Sequence, residues 1–183
     1  MKLSTTAILL GSVLLLTTAA VRAAALPAGV MPVDGVPAPA LQLDDMDGTA
    51  YDLAATRGHW RFVHFWATWC GPCRREMPTI ERMITLLGNT ELEFVVVNTA
   101  ETEDTVFSFL GIVAPDLVPL MDSDGLVTER WQPRGLPATF LVDPDNRIRY
   151  QALGGRPWDT PAYVEFLRTL PERPAPARVE PHK

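Results

Sequence analysis

The sequence predicts an α/β domain in which helices cover a mixed sheet. Two apolar, β-branched and aromatic stretches, "HWRFVHFW" (59–66) and "LEFVVVN" (92–98), read as buried strands. A segment of helical spacing separates them, and strand–helix–strand requires a right-handed parallel crossover. Further on, "PATFLVD" and "RIRYQAL" flank the turn "PDN" and read as an antiparallel hairpin. Parallel and antiparallel pairs in one sheet make it mixed.

The elements follow in order. "LQLDDMDGTAYDL" carries an Asp-Gly turn between short extended pieces and predicts a leading hairpin. "RREMPTIERMITLLG" places Met77, Ile80, Met83, Ile84 and Leu87 on one helical face, with Gly88 as the stop and Pro78 as an internal kink. "ETEDTVFSFLG" starts with acidic residues, which suit the helix dipole, and is expected to close at its glycine. "TPAYVEFLRTL" begins with a threonine cap and a first-turn proline and predicts a last helix.

The ends differ in kind. "MKLSTTAILLGSVLLLTTAAVRAAALP" has one early lysine, an apolar run from Ala7 to Val21, and Ala23 and Ala25 spaced as A-x-A. That is the layout of a secretory signal peptide over residues 1–25, with an uncleaved membrane anchor as the rival reading. Residues 26–39, rich in Pro, Gly and Ala, read as a linker, and 171–183 as a disordered tail. The folded domain is then expected over 40–170.

The 183-residue chain has a net charge of -6, and removal of 1–25, which holds Lys2 and Arg22, makes it -8. An acidic domain without a basic run argues against a nucleic-acid partner. Only two cysteines are present, Cys70 and Cys73, in "FWATWCGPCRREMP". A bridge across so short a loop removes little unfolded-state entropy, so it is a poor staple and a chemical role is favoured. Zinc needs about four ligands. Two thiols and the unpatterned His59, His64 and His182 do not supply them. The sequence therefore implies no metal and no organic cofactor.

Cys70 ends the strand–loop and Cys73 begins a helix, so the first sulfur is expected at a helix N-terminus. Free N–H groups and the helix dipole favour thiolate there. Cys70 is the expected attacking thiol and Cys73 the resolving one, with Gly71 and Pro72 keeping the loop tight.

These residues resemble the active-site segment of the thioredoxin superfamily, and more narrowly the TlpA/ResA/CcmG (DsbE)-like exported thiol-disulfide oxidoreductases. "LDDMDGTAYDL", "FVVVN" and "GLPATFLVDPDNRI" match that family's leading hairpin, central strand and cis-proline segment. The resemblance implies a thioredoxin-like fold with an N-terminal β-hairpin extension and a Cys70–Cys73 disulfide. It places a cis-proline at Pro137 opposite the dithiol, with Leu136, Pro137 and Trp66 lining a client groove and Trp69 beside it. It also implies that Glu76 tunes the thiols and relays protons, and that Glu101 falls where relatives often carry an acid. His64 occupies the position of thioredoxin's buried aspartate, and its expected part is proton transfer to Cys73, with a core histidine as the alternative. Trp60, Trp131 and Trp158 are read as packing residues.

By the same resemblance the protein is periplasmic and reduces disulfides in clients such as apocytochrome c or copper-site proteins. A membrane thiol transporter of the DsbD/CcdA kind would supply its electrons. A disulfide oxidant or isomerase, and a Cu(I)-holding dithiol, are the alternatives.

Overall fold

The computed structural model describes residues 26–171. The export segment expected at 1–25, and the tail expected at 171–183 beyond its first residue, lie outside them. Structure begins earlier than expected. Residues 30–37 form strand β1 (Val30–Pro37), not a linker. β1 lies at a sheet edge and pairs antiparallel with β8 (Arg147–Leu153). An edge strand has one row of N–H groups without ladder partners, so prolines are tolerated there. The register shifts between Pro32 and Val36, and Gly35 within that irregularity has φ +67°. A Cβ at Gly35 would come within 2.4 Å of the Arg149 guanidinium, so both the backbone angle and the close approach require glycine.

The remaining elements are β2 (Gln42–Asp44), β3 (Ala50–Asp52), β4 (Trp60–Trp66), α1 (Gly71–Leu87), β5 (Leu92–Thr99), α2 (Glu103–Val113), β6 (Leu120–Asp122), α3 (Leu126–Trp131), β7 (Ala138–Val142) and α4 (Pro161–Thr169). Six strands form one sheet in the order β1-β8-β7-β4-β5-β6, and β2 and β3 form the expected separate hairpin. β4, β5 and β6 run parallel, whereas β7 pairs antiparallel with both β4 and β8. The sheet is mixed, as expected.

All seven residues of β4 are buried. A strand covered on both faces needs a continuous apolar run, and "WRFVHFW" supplies one except at Arg61 and His64. α1 buries Cys73, Glu76, Met77, Ile80, Met83 and Leu87, a three- and four-residue spacing that holds it against the sheet. The helix is continuous through Pro78.

Helix ends depart from the sequence expectations in detail. Gly88 caps α1 in the right-handed region, with φ -58°, and makes no left-handed stop. α2 runs past Gly111 and is capped at Ala114. Thr160 precedes α4 but makes no side-chain cap, because its hydroxyl donates to the Pro157 carbonyl. β6 and α3 were not anticipated. They are three and six residues long, and Asp122 joins them by accepting from the Val127 and Thr128 amides. Among the described residues no helix is long and apolar enough to cross a membrane.

Candidate active site

The cysteines sit where the loop after β4 delivers the chain into α1. Cys70 is the N-cap of α1, with extended backbone angles, and its Sγ accepts from the Cys73 amide at 3.3 Å. Pro72 lies in the first turn, where the missing N–H removes no helical bond. The two sulfurs are bonded at 2.07 Å. Their surroundings are unequal. Cys70 is 6 % exposed and Cys73 is fully buried, while Gly71 and Pro72 between them are exposed. The slight opening of the pair lies at Cys70, so an incoming sulfur would approach from that side.

The Leu136–Pro137 peptide bond is cis. Phe65 on β4 pairs with Ala138 on β7, antiparallel. The start of β7 therefore lies at the sheet end from which β4 leads to Cys70, and Pro137 sits one residue beyond that pair. The Pro137 carbonyl accepts from the Gly154 amide at 2.8 Å, which ties this edge to the loop after β8.

Glu76 is 2 % exposed and projects from α1 toward that loop. Its Oε1 accepts from the Trp158 indole Nε1 at 2.6 Å and its Oε2 from the Arg156 amide at 3.0 Å. Burial pushes its carboxyl up to about 7, against the hydrogen bonds from Trp158 and Arg156, which favour the charged form. A cleft of about 440 Å³ leads from solvent to this carboxylate, between Pro72, Arg75 and Thr79 of α1 and the 155–157 loop. A Cβ at Gly155 would come within 3.1 Å of Glu76 Oε2 and 3.3 Å of the Pro72 carbonyl, so glycine keeps the approach open.

His64 is fully buried on β4, and desolvation lowers its pKa to about 3. Its Nδ1 lies 2.9 Å from Thr139 Oγ1, and its Nε2 lies 3.6 Å from Glu76 Oε1. The imidazole is therefore neutral at any working pH. Glu101 braces the approach to the dithiol. It accepts from the Thr68 amide at 2.7 Å, from Asn98 Nδ2 at 2.8 Å, and from the Thr68 hydroxyl. Arg74 adds a bond to the Thr68 carbonyl and lies over the Phe109 ring.

Chemically, a slightly exposed sulfur at a helix N-terminus, a fully buried partner sulfur and a carboxyl pushed up toward neutrality by burial can carry out disulfide exchange with proton transfer. The sequence profile of the Redoxin family matches residues 33–167. The chain belongs to the Redoxin family. It is 30 % identical over 115 residues to thiol-disulfide oxidoreductase ResA of Bacillus subtilis, covering 63 % of this chain and 64 % of that one. It is 31 % identical over 118 residues to ResA of Geobacillus thermodenitrificans, covering 63 % and 66 %. The match thus spans somewhat less than two thirds of these relatives' length. Among solved structures, a Chlorobium tepidum protein provisionally described as thiol:disulfide interchange protein DsbE superposes with a TM-score of 0.63 at 30 % identity, over 73 % of this chain and 93 % of that one. StoA of Bacillus subtilis, at 20 % identity and a TM-score of 0.60, shares the fold. The thioredoxin-like fold of ResA/DsbE type inferred from the motifs is the one found.

Within this Redoxin domain the expected residues separate into groups. Cys70, Cys73, Gly71, Pro72 and Glu76 share the N-terminal part of α1, and Leu136 and Pro137 share the adjoining sheet end. Trp69 is 68 % exposed and stands beside Cys70. Trp66 is different. It is fully buried in the same cluster as Cys70 and Cys73, with its ring 5.7 Å from Phe109, so it cannot line a client groove. It lies one step beyond the Phe65–Ala138 pair on the strand, and its side chain turns inward. Trp158, read as packing alone, is a site residue through its bond to Glu76. No local signal marks it, because its partner lies 82 residues away in sequence.

Proposed function

We propose that this Redoxin chain is an exported protein thiol-disulfide oxidoreductase that reduces disulfides in client proteins. The unequal burial of the two sulfurs at the N-cap of α1 carries the reading. In the reduced protein the Cys70 thiolate attacks one sulfur of a client disulfide, and the other client sulfur leaves as thiolate. Cys73 then gives up its proton, attacks Cys70 Sγ and expels the second client sulfur. Two electrons pass to the client, both of whose sulfurs leave as thiolates and take their protons from solvent, the Cys73 proton stays on Glu76, and the Cys70–Cys73 disulfide remains. Glu76 is the proton acceptor for Cys73, lying three residues further along the same helix. Leu136 and Pro137 offer backbone groups to the client segment, and Trp69 offers an exposed ring beside the attacking sulfur.

The location is periplasmic by the layout of residues 1–25, with a tether if that segment is retained. The names of the ResA and DsbE relatives support the chemistry. The reducing direction rests on the Gly-Pro insert, shared with thioredoxin at about -270 mV, far below a strong oxidant such as DsbA at about -120 mV. Clients such as apocytochrome c or copper-site proteins, and a DsbD/CcdA-type transporter as electron source, complete the cycle.

The deciding experiment is the reduction potential of the pair, followed by tryptophan fluorescence in glutathione and dithiothreitol buffers. A value at or below about -230 mV supports an electron donor, and one above about -180 mV reverses the direction. Cys73→Ser should trap a mixed disulfide with client, and Cys70→Ser should form none.

A further inference from the structure

His64 and Glu76 face each other across the packing of β4 against α1, and both side chains are buried. Imidazole Nε2 stands 3.6 Å from Glu76 Oε1 and has no hydrogen-bond partner at that distance. On the other side of the ring, Nδ1 lies 2.9 Å from the hydroxyl of Thr139, its register partner on β7. Glu76 already accepts from Trp158 and from the Arg156 amide. The charged group that acts on it is Arg156 on the loop, and Arg75 of its own helix lines the same cleft. β4 contributes the neutral His64, and β7 the uncharged Thr139.

Two hydrogen arrangements satisfy this geometry without charging the ring. With Glu76 ionised, Nε2–H points to Oε1 and the Thr139 hydroxyl donates to Nδ1. With Glu76 protonated, its O–H points to Nε2 and Nδ1–H donates to Thr139. A hydroxyl both donates and accepts, so Thr139 serves either arrangement by rotating its hydrogen. Either arrangement requires Oε1 and Nε2 to close from 3.6 Å to hydrogen-bonding distance.

We propose that His64 is a neutral tautomer switch that follows the protonation of Glu76, with the Thr139 hydroxyl reversing direction in step. One proton enters or leaves Glu76 through the cleft. The imidazole keeps a single N–H throughout, on Nδ1 when Glu76 is protonated and on Nε2 when it is ionised. Desolvation, which lowers His64 and raises Glu76, favours the neutral pair over an ion pair holding the same number of protons. The purpose of the switch rests on the exchange proposed above, since it lets a buried carboxyl accept the Cys73 proton without placing a cation in the core. His64 and Thr139 are positioning residues that act through Glu76.

Nuclear magnetic resonance on the full-length oxidised protein tests this, reading imidazole 15N and carboxyl 13C shifts against pH. The Glu76 carboxyl should titrate near neutrality. The His64 nitrogens should exchange one neutral-tautomer pattern for the other at the same pH, with no imidazolium pattern above about pH 5. Two uncharged substitutions should move the Glu76 midpoint in opposite directions. Thr139→Val removes the hydroxyl from both arrangements, but a buried N–H left without an acceptor costs more than a lone pair left without a donor, so it favours Nε2–H and should lower the midpoint by about half a pH unit or more. His64→Leu removes the donor to the carboxylate and should raise it by a similar amount. His64 nitrogens that stay fixed while Glu76 titrates, an imidazolium pattern, or two variants that shift the same way would overturn the proposal. If a variant does not fold, the native nitrogen spectra decide alone. The spectra are read without a client, so failure of disulfide exchange and failure of the switch are distinguishable.

Discussion

The Trp158 indole donates to Glu76 Oε1 at 2.6 Å, joining the loop before α4 to the helix that carries the dithiol. An N–H aimed at a carboxylate favours the charged form, so this bond holds the Glu76 pKa below where burial alone would put it. Trp158→Phe retains an aromatic ring against Phe62 and Tyr163, whose centroids lie 4.9 and 5.0 Å away, and removes the donor together with part of the buried indole's volume. The Glu76 midpoint should rise by roughly one pH unit, the equivalent of a charge-assisted hydrogen bond. The check is the pH profile of the second exchange step, in which Cys73 expels the client sulfur. An unmoved profile would remove Glu76 from that step.

His64 and Glu76 should make opposite contributions to stability against pH. The Glu76 pKa is raised from 4.5 to about 7, so between those values the folded state holds the extra proton and stability falls as pH rises. The His64 pKa is lowered from 6.5 to about 3, so between those values the unfolded state holds the extra proton and stability rises with pH. Each slope is up to about 1.4 kcal/mol per pH unit, and between the unfolded pKa of Glu76 and that of His64 the two offset. Glu76→Gln should therefore gain stability relative to the native protein as pH rises from about 4.5 to 7. His64→Asn should lose relative stability as pH rises from about 3 to 6.5. Urea midpoints collected across this range read both trends, and curves parallel to the native one would contradict both assignments.

Local signals made the dithiol and the central strands legible. Cys70 and Cys73 lie within one helical turn, and β4 and β5, seven and eight residues long, are mostly apolar, broken at Arg61 and His64 in the first and at Glu93, Asn98 and Thr99 in the second. β1 was hidden by composition, because Pro32, Pro37 and Gly35 suggest a linker unless the strand is known to lie at an edge. β6 and α3 were hidden by shortness, since three and six residues cannot display a period. The site was half legible for a different reason. The position of Glu76 on α1 was readable, but its burial depends on Gly155, Arg156 and Trp158, which reach it only once β8 and α4 are in place. The inward turn of Trp66 depends likewise on α2, whose Phe109 meets it.

Glu101 should act on the dithiol through Thr68. Its carboxylate receives the Thr68 amide, the Thr68 hydroxyl and the Asn98 amide, two residues before Cys70 on one side and at the end of β5 on the other. Glu101→Ala leaves these donors without their acceptor and should cost about 2 kcal/mol or more. Glu101→Gln keeps one oxygen and should cost less. Chemical denaturation measures the loss, and thiol alkylation of the reduced protein shows whether the turn has loosened, since Cys73 should become reactive in the alanine variant. A Cys73 that stays protected while stability falls would confine Glu101 to the fold.

Trp66 and Trp69 should separate stability from client binding. Trp66 has no exposed surface and fills the core cluster that includes both cysteines. Trp66→Ala should therefore destabilise the domain by about 3–5 kcal/mol, the usual cost of emptying a large aromatic site. Trp69 is 68 % exposed, so Trp69→Ala should change stability by less than about 0.5 kcal/mol. If the exposed ring packs on the client segment, the same substitution raises KM for a disulfide-bonded protein substrate and leaves the rate with a small disulfide such as oxidised glutathione unchanged. Comparing the two substrates makes the test specific. Equal losses on both would mean that Trp69 alters the sulfur chemistry of Cys70, and no loss on either would place client recognition elsewhere, at the Leu136–Pro137 edge.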